Sequence, residues 1–192
     1  MKITKVDNDN ASKTAISFTG VSHGSGGIEF FNLTKNKDFE VIFVEDTNST
    51  WYNSINSKKI INSICKNKEV ITIGNSMGAF NATMFARDYP VHKVIAFATQ
   101  YSIHPDIVPW EKRWLSYANH IKHWKVKHLE FNNSTRYHFI SGDDEKELAH
   151  LNMIPNNGNI NKTIIKNCGH NVSKSLKLNN ELYKIINIIL DE

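Results

Sequence analysis

Val70-Ile71-Thr72-Ile73-Gly74-Asn75-Ser76-Met77-Gly78-Ala79 is the stretch on which the reading of this chain turns. It starts as an apolar, β-branched run, the mark of a buried strand. It passes through Gly74-Asn75-Ser76-Met77-Gly78, a G-x-S-x-G pattern, and continues into a helix-like run over 79–88 that Pro90 closes. Strand, sharp turn and helix together are the context in which a nucleophilic serine stands on a strained turn. The residues two before and two after it must be small, because backbone and helix approach there. Without that context the five-residue pattern is weak, since Gly and Ser are common in turns. The bland alternative is a glycine-rich turn of an ordinary α/β sheet.

Outward from this turn, apolar runs alternate with helical periods. Strands are expected at 14–19, 39–44, 93–98, 136–141 and 161–166. Helices are expected at 28–35, with Ile28, Phe31 and Phe30 turned inward, and at 54–66, where Ile55, Ile60, Ile61 and Ile64 repeat helically. Others are expected within 110–123, through Leu148 and Leu151, and as one amphipathic helix over 173–190. Alternating strands and helices imply parallel pairing through right-handed crossovers. The expectation is an α/β fold, a three-layer α/β/α sandwich with a mostly parallel sheet, in one domain over 1–192. Residues 99–135 hold Pro105, Pro109, Trp110, Trp114 and Trp124 and no clean strand, so they read as a short, aromatic-rich, cap-like insertion. Ligands of such sheets bind beyond the carboxyl ends of the strands.

Composition bounds the function. The chain has 192 residues, 40% hydrophobic, enough for one sizeable core. A net charge of +4 with no Lys/Arg run argues against a nucleic-acid surface and is compatible with an anionic substrate. Two cysteines, Cys65 and Cys168, make neither a disulfide framework nor a metal spacing. Met1 to Asp7 lacks the apolar core of a signal peptide, and no run reaches the roughly 18–20 apolar residues of a membrane span. A cytoplasmic protein without a membrane span is expected.

A serine hydroxyl needs a base, and the base an orienting acid. His170, in Asn167-Cys168-Gly169-His170-Asn171, follows the last strand and precedes the last helix, which makes it the candidate base. His23 precedes Ser76 in the chain and fits that role poorly. His120 and His123 share a helix face with no third ligand in sight, so no metal is expected. The acid is sought just after Ser141, among Asp143, Asp144, Glu145 and Glu147. Asp144 is the first choice and Asp143 the alternate; Asp143 also suits the turn, and Glu147 a solvated helix face. Backbone N–H groups of Met77 and Val21 are the candidate oxyanion donors. His23, Trp51, Tyr101, Trp110 and Trp114 are candidate substrate contacts, and the aromatics among them, with Tyr117 and Trp124, read equally as sugar-stacking surface or as packed core.

The chain resembles the α/β-hydrolase superfamily, and within it small hydrolase-fold proteins of bacterial surface (capsular) polysaccharide gene clusters. The resemblance rests on Phe18-Thr19-Gly20, Gly26-Gly27-Ile28 with Phe30-Phe31, and Val44-Glu45-Asp46 with Ser49-Thr50-Trp51-Tyr52. It continues through Ile73 to Phe80, Ala96-Phe97-Ala98-Thr99-Gln100 and Arg113-Trp114. That family carries an Asp-x-x-His-Ala-like pattern after the penultimate strand. Asp144 fits its Asp, but Glu147 then replaces its His, which leaves the acid open. The resemblance implies ester or acyl-transfer chemistry on glycans.

The leading expectation is therefore a serine-dependent acyl-transfer enzyme working through an acyl-serine. With water as acceptor it is a carboxylesterase or O-acetylesterase on a glycan or small ester and needs no cofactor. With a sugar hydroxyl as acceptor and acetyl-CoA as donor it is a polysaccharide O-acetyltransferase. One triad serves both. A hydrolase-fold binding protein without catalysis is the alternative of another class. A nucleotide-binding reading of Gly20 to Gly27 is weaker, because the loop lacks G-x-G-x-x-G spacing and a P-loop Lys. Oligomeric state is not legible.

Overall fold

The computed structural model describes residues 1–21, 27–64 and 68–192. In chain order the strands are β1 (Lys2–Val6), β2 (Lys13–Phe18), β3 (Phe39–Glu45), β4 (Glu69–Asn75), β5 (Lys93–Phe97), β6 (Arg136–Gly142) and β7 (Ile160–Ile165). The helices are α1 (Ser57–Ile61), α2 (Met77–Asp88), α3 (Leu115–His120), α4 (Glu145–Met153), α5 (Val172–Leu178) and α6 (Leu182–Asp191), with a 3-10 turn at Phe31–Lys35. The seven strands form one sheet in the order β1-β3-β2-β4-β5-β6-β7. All pairs are parallel except β1 with β3. β4, which carries the serine turn, lies at the centre.

Side chains alternate along each strand, so the sheet has two apolar faces. Ile16, Phe18, Ile42, Val44, Val94, Ala96, Tyr137 and Phe139 pack on one face with Phe80, Met84 and Phe85 of α2. Ala15, Val41, Phe43, Ile71, Ile73, Ile95, Phe97 and Ile140 pack on the other with Leu33, Val172 and Leu176 of α5, and Leu182, Ile186 and Ile189 of α6. Two helical layers around a mostly parallel sheet make the expected three-layer sandwich.

Several local expectations change. The 28–35 segment is only a 3-10 turn, and it is Phe30 and Leu33 that are buried, while Ile28 and Phe31 are exposed. The left-handed Phe30 (φ 58°) starts the turn and swings Phe31 outward. α1 is one short helix of 57–61, capped by the Asn56 side chain accepting from Lys59 N–H. The helix sought within 110–123 shrinks to α3. Residues 99–135 also send Ile103, Ala118, Ile121, Val126 and Leu129 into the core of the α2 face. The last helix is two, broken at Asn179-Asn180, where Asn180 adopts φ 58° and Glu181 N–H bonds back to the Leu176 carbonyl. Asn tolerates this left-handed position better than most residues. β1, where the sequence predicts no strand, is short, and its Lys2, Thr4 and Lys5 are polar, as suits an edge strand.

Close packing at the turn is decided by glycine. A methyl group at Gly74 would overlap Gly78, and one at Gly78 would overlap the Phe18 carbonyl and Thr19. The start of α2 thus rests directly on the ends of β4 and β2. Gly78→Ala is expected to destabilise the protein by about 3 kcal/mol or more, since the clash is with backbone on a buried helix. Denaturant unfolding of the variant checks this, and a loss under about 1 kcal/mol would contradict it.

Candidate active site

The site grows from the carboxyl ends of five parallel strands. At the end of β4, Ser76 adopts φ 55°, ψ −122°, a strained conformation for a residue with a side chain. Its N–H donates to the Phe97 carbonyl at 2.8 Å, tying the turn to the end of β5. The side chain is almost fully buried. Met77 opens α2, so its N–H has no partner within the helix. The loop after β2 lies against this turn, for the position of a Gly20 side chain would be 3.1 Å from the Asn75 carbonyl oxygen. Gly20 N–H is already engaged, donating to Glu29 Oε2 at 3.2 Å, which leaves Val21 as the next donor along the loop. Burial pushes the Glu29 carboxyl up to about 7 against the lowering effect of that N–H.

His170 comes from the loop between β7 and α5. Its Nε2 lies 2.9 Å from Ser76 Oγ and its Nδ1 lies 2.9 Å from Glu147 Oε1. The ring packs against Trp114, with centroids 5.2 Å apart. The loop is shaped by β6: a side chain at Gly142 would overlap the Cys168 and Gly169 carbonyls, and Asp143 N–H donates to the Cys168 carbonyl at 2.7 Å. The Asp143 carboxylate in turn accepts from the N–H groups of Asn167 (3.1 Å) and Cys168 (3.0 Å). These backbone bonds, that of Cys168 first, hold its carboxyl below the ordinary value.

The carboxylate that meets His170 is therefore neither Asp144 nor Asp143. Asp144 is the N-cap of α4 and accepts from Glu147 N–H at 2.9 Å. Asp143 clamps the backbone that carries the histidine. Glu147, three residues into the cap and buried, is the one aimed at the imidazole; Glu145 is elsewhere on the first turn. The sequence held a local sign of this: Asp144-x-x-Glu147 is a capping spacing, which fixes the phase of the helix.

Two buried glutamates need a cation. Arg113 supplies it, donating from Nη1 to Glu147 Oε1 at 2.7 Å and from Nη2 to Glu111 Oε2 at 2.6 Å. Glu111 also accepts from His150 Nε2 at 3.1 Å. Tyr101 N–H donates to His150 Nδ1 at 3.2 Å, which fixes that buried ring as the Nε2–H tautomer. Burial opposes the charge on both glutamates. The bonds from His150 and Arg113 nevertheless hold Glu111 at about 2, and those from His170 and Arg113 hold Glu147 below its ordinary value. Nothing in the sequence pattern pointed to Arg113 and Glu111 as partners of this site beyond the Arg113-Trp114 pair.

The other candidates are distributed as follows. Trp51 is fully buried and so presents no face to a substrate; its Nε1 donates to Gln100 Oε1 at 3.1 Å and its ring packs on Trp114 and Tyr117. Tyr101 stacks on His128, and the exposed Trp110 packs on His150. Trp114 touches His170. His23 lies outside the described residues. Among the described residues no group of three His, Cys, Asp or Glu could hold a metal ion, and no helix is long and apolar enough to cross a membrane.

Fold and geometry define an α/β-hydrolase. The family model for serine aminopeptidases, S33, matches residues 42–165, well over half of the chain, and the chain belongs to that family. The matched span includes Ser76 and Glu147 and stops short of His170. No curated protein sequence matches significantly. Among solved structures, the capsule O-acetyltransferase of Neisseria meningitidis serogroup A is similar at 17% identity and TM-score 0.70, over 96% of this chain and 90% of that one. A glycosylation-associated protein complex from Streptococcus agalactiae is similar at 14% identity and TM-score 0.66, over 97% of this chain and 44% of that one. A structure from a study of carboxylesterases of the thaumarchaeon Nitrososphaera gargenis is similar at 12% identity and TM-score 0.59, over 99% and 95%. Family and fold place the chain among the α/β-hydrolases.

Arg113→Met would leave two buried carboxylates without their cation, a change that costs about 3 kcal/mol. Both carboxyls sit below the value of about 4.5 that an unperturbed glutamate has, so their ionisation stabilises the fold above that pH. The stabilisation is lost as pH falls through the lower folded values. The gap in melting temperature between the native protein and the variant should be widest at neutral pH and narrow below about pH 4. A gap independent of pH from 7 to 3 would contradict this account.

Proposed function

We propose that the protein is a serine-dependent acyl-transfer enzyme that forms an acyl-ester on Ser76. The observation that carries the reading is the unbroken relay Ser76 Oγ to His170 Nε2 and His170 Nδ1 to Glu147 Oε1, each link 2.9 Å. In this reading His170 takes the Ser76 proton as Oγ attacks an acyl carbon. Glu147 accepts from Nδ1–H, fixes the tautomer and balances the imidazolium. The N–H groups of Met77 and Val21 bind the oxyanion. The C–O bond to the leaving group then breaks, and the departing oxygen takes the proton from His170. In the second half, His170 removes a proton from the acceptor, which attacks the acyl carbon. Oγ leaves and recovers a proton.

With water as acceptor the reaction is hydrolysis of an ester, an O-acetyl ester of a glycan or a small carboxylic ester, and no cofactor takes part. The likeness to a capsule O-acetyltransferase, one structure of which holds CoA, favours a second reading. There Ser76 takes the acetyl group from acetyl-CoA, the thioester C–S bond breaking and the departing sulfur taking the proton from His170, and a sugar hydroxyl then takes the acetyl group. Both readings place the site in contact with small molecules or glycans and use the same relay.

The relay makes specific demands. Ser76→Ala should lower turnover of p-nitrophenyl acetate by roughly 10⁴-fold or more. Glu147→Gln should lower it by roughly 10³–10⁴-fold, because the amide supports the wrong tautomer. Asp144→Asn, which can still cap α4, should remain within a few-fold of the native protein. If Asp144→Asn were the inactive variant and Glu147→Gln the active one, the assignment of the acid would be wrong.

Acceptor choice is tested separately. Release of free CoA from acetyl-CoA, and its acceleration by an added glycan, identifies the transferase. Turnover of p-nitrophenyl acetate that acetyl-CoA and glycan leave unchanged identifies the esterase. An aminoacyl p-nitroanilide tests the bond named in the family's description. No turnover of any of these, with no labelling of Ser76 by a fluorophosphonate, would overturn the enzymatic reading in favour of a binding protein.

A further inference from the structure

We infer that Gln100 is a further catalytic residue, a fixed hydrogen-bond donor to the Ser76 oxygen. The inference rests on the acyl-serine reading and adds a second contact at the nucleophile. Gln100 is fully buried, three residues beyond the end of β5. Its Nε2 lies 3.0 Å from the Ala98 carbonyl and 3.4 Å from Ser76 Oγ, and its Oε1 lies 3.1 Å from Trp51 Nε1.

These partners settle which end of the amide is which. Indole N–H can only donate, so it must face the amide oxygen. A backbone carbonyl can only accept, so it must face the amide nitrogen. One N–H of Gln100 is thereby spent on Ala98, and the other is directed at Ser76. The Ser76 oxygen accepts it and turns its own hydrogen toward His170 Nε2, 2.9 Å away. His170 then carries its proton on Nδ1, where Glu147 receives it. A chain of hydrogen bonds donated from Trp51 to Gln100, Gln100 to Ser76, Ser76 to His170 and His170 to Glu147 has one consistent set of proton positions, and it is the set a nucleophilic serine needs.

The backbone is strained at both anchors of this amide. Trp51 has φ 46° and Ala98 has φ 47°, left-handed conformations that side-chain-bearing residues rarely hold. Asp46 secures the first by accepting from Thr50 N–H at 2.8 Å, and Ala98 N–H secures the second by donating to the Ile140 carbonyl at 2.9 Å. Strain of this kind persists where surrounding structure enforces it. Here it aims one side chain.

The chemistry gained is on the serine oxygen. During attack, Oγ gives its proton to His170 and forms the C–O bond, and the Gln100 N–H steadies the charge on it. During deacylation that same C–O bond breaks, Oγ again carries charge before it recovers a proton, and the same donor makes it a better leaving group. Gln100 gives up no proton in either step.

The test measures the rate of Ser76 labelling by a fluorophosphonate and the decay of the acyl-enzyme after a burst with p-nitrophenyl acetate. Both are expressed per folded molecule, with folding followed by circular dichroism. Gln100→Met keeps the length and removes both ends of the amide. It should slow both steps about tenfold, the worth of one hydrogen bond, with KM altered less than twofold. Trp51→Phe removes the anchoring N–H together with part of a buried ring and, per folded molecule, should slow them by a smaller factor; added to Gln100→Met it should slow neither step further. Both rates within twofold of native in folded Gln100→Met, while native Ser76 is labelled, would overturn this inference alone. Absence of labelling in the native protein would overturn the acyl-serine reading and this inference with it.

Discussion

The turn at Ser76 is the constraint from which the rest of the arrangement follows. A serine held at φ 55° cannot keep that conformation by itself. It is held by its N–H bond to the Phe97 carbonyl, and by the seating of Gly78 on the end of β2 with Gly74 beneath it. Because β4 is central, both neighbours are fixed in register, and their own loops must open over the same edge. β2 delivers Gly20 and Val21, β5 delivers Gln100, and the next strands outward deliver Glu147 and His170. The sheet is thus a device for bringing five loop starts to one small oxygen.

Charge is the second organising quantity. Two glutamates and a histidine are buried beside one another, an arrangement that burial alone would discharge. Arg113 reverses that by bonding both carboxylates at once, which a lysine's single ammonium would do less well. The aromatic segment around it, in which Trp114 covers His170 and packs on Trp51, shields the same group. The 99–135 segment therefore contributes an ion pair to the relay as well as apolar packing to the α2 face.

Most of the fold was legible because the central strands are apolar on both faces and read as continuous runs. Short or edge elements were less so: β1 is half polar, and the final helix breaks at an asparagine pair within an otherwise helical apolar period. At the site, Ser76 and His170 could be located from the turn pattern and chain order, since each follows a strand at an end that loops must share. The acid could not. Asp143, Asp144, Glu145 and Glu147 all follow β6, and what separates them is helical phase, set by the cap, and the path of a loop that Asp143 itself ties down. Gln100 and Arg113 were harder still, because their partners lie far away in sequence, 49 and 34 residues for Trp51 and Glu147.

His170 hangs from β7, which pairs on one side only and is largely exposed. Its ring packs against Trp114, and Val172 two residues on is buried. The loop itself is tied to β6 by three hydrogen bonds around Asp143 and by the bare face of Gly142. Serine and histidine therefore hang from different parts of the sheet, one from its centre and the other from its margin. Any local opening of the margin would part the imidazole from an intact serine turn.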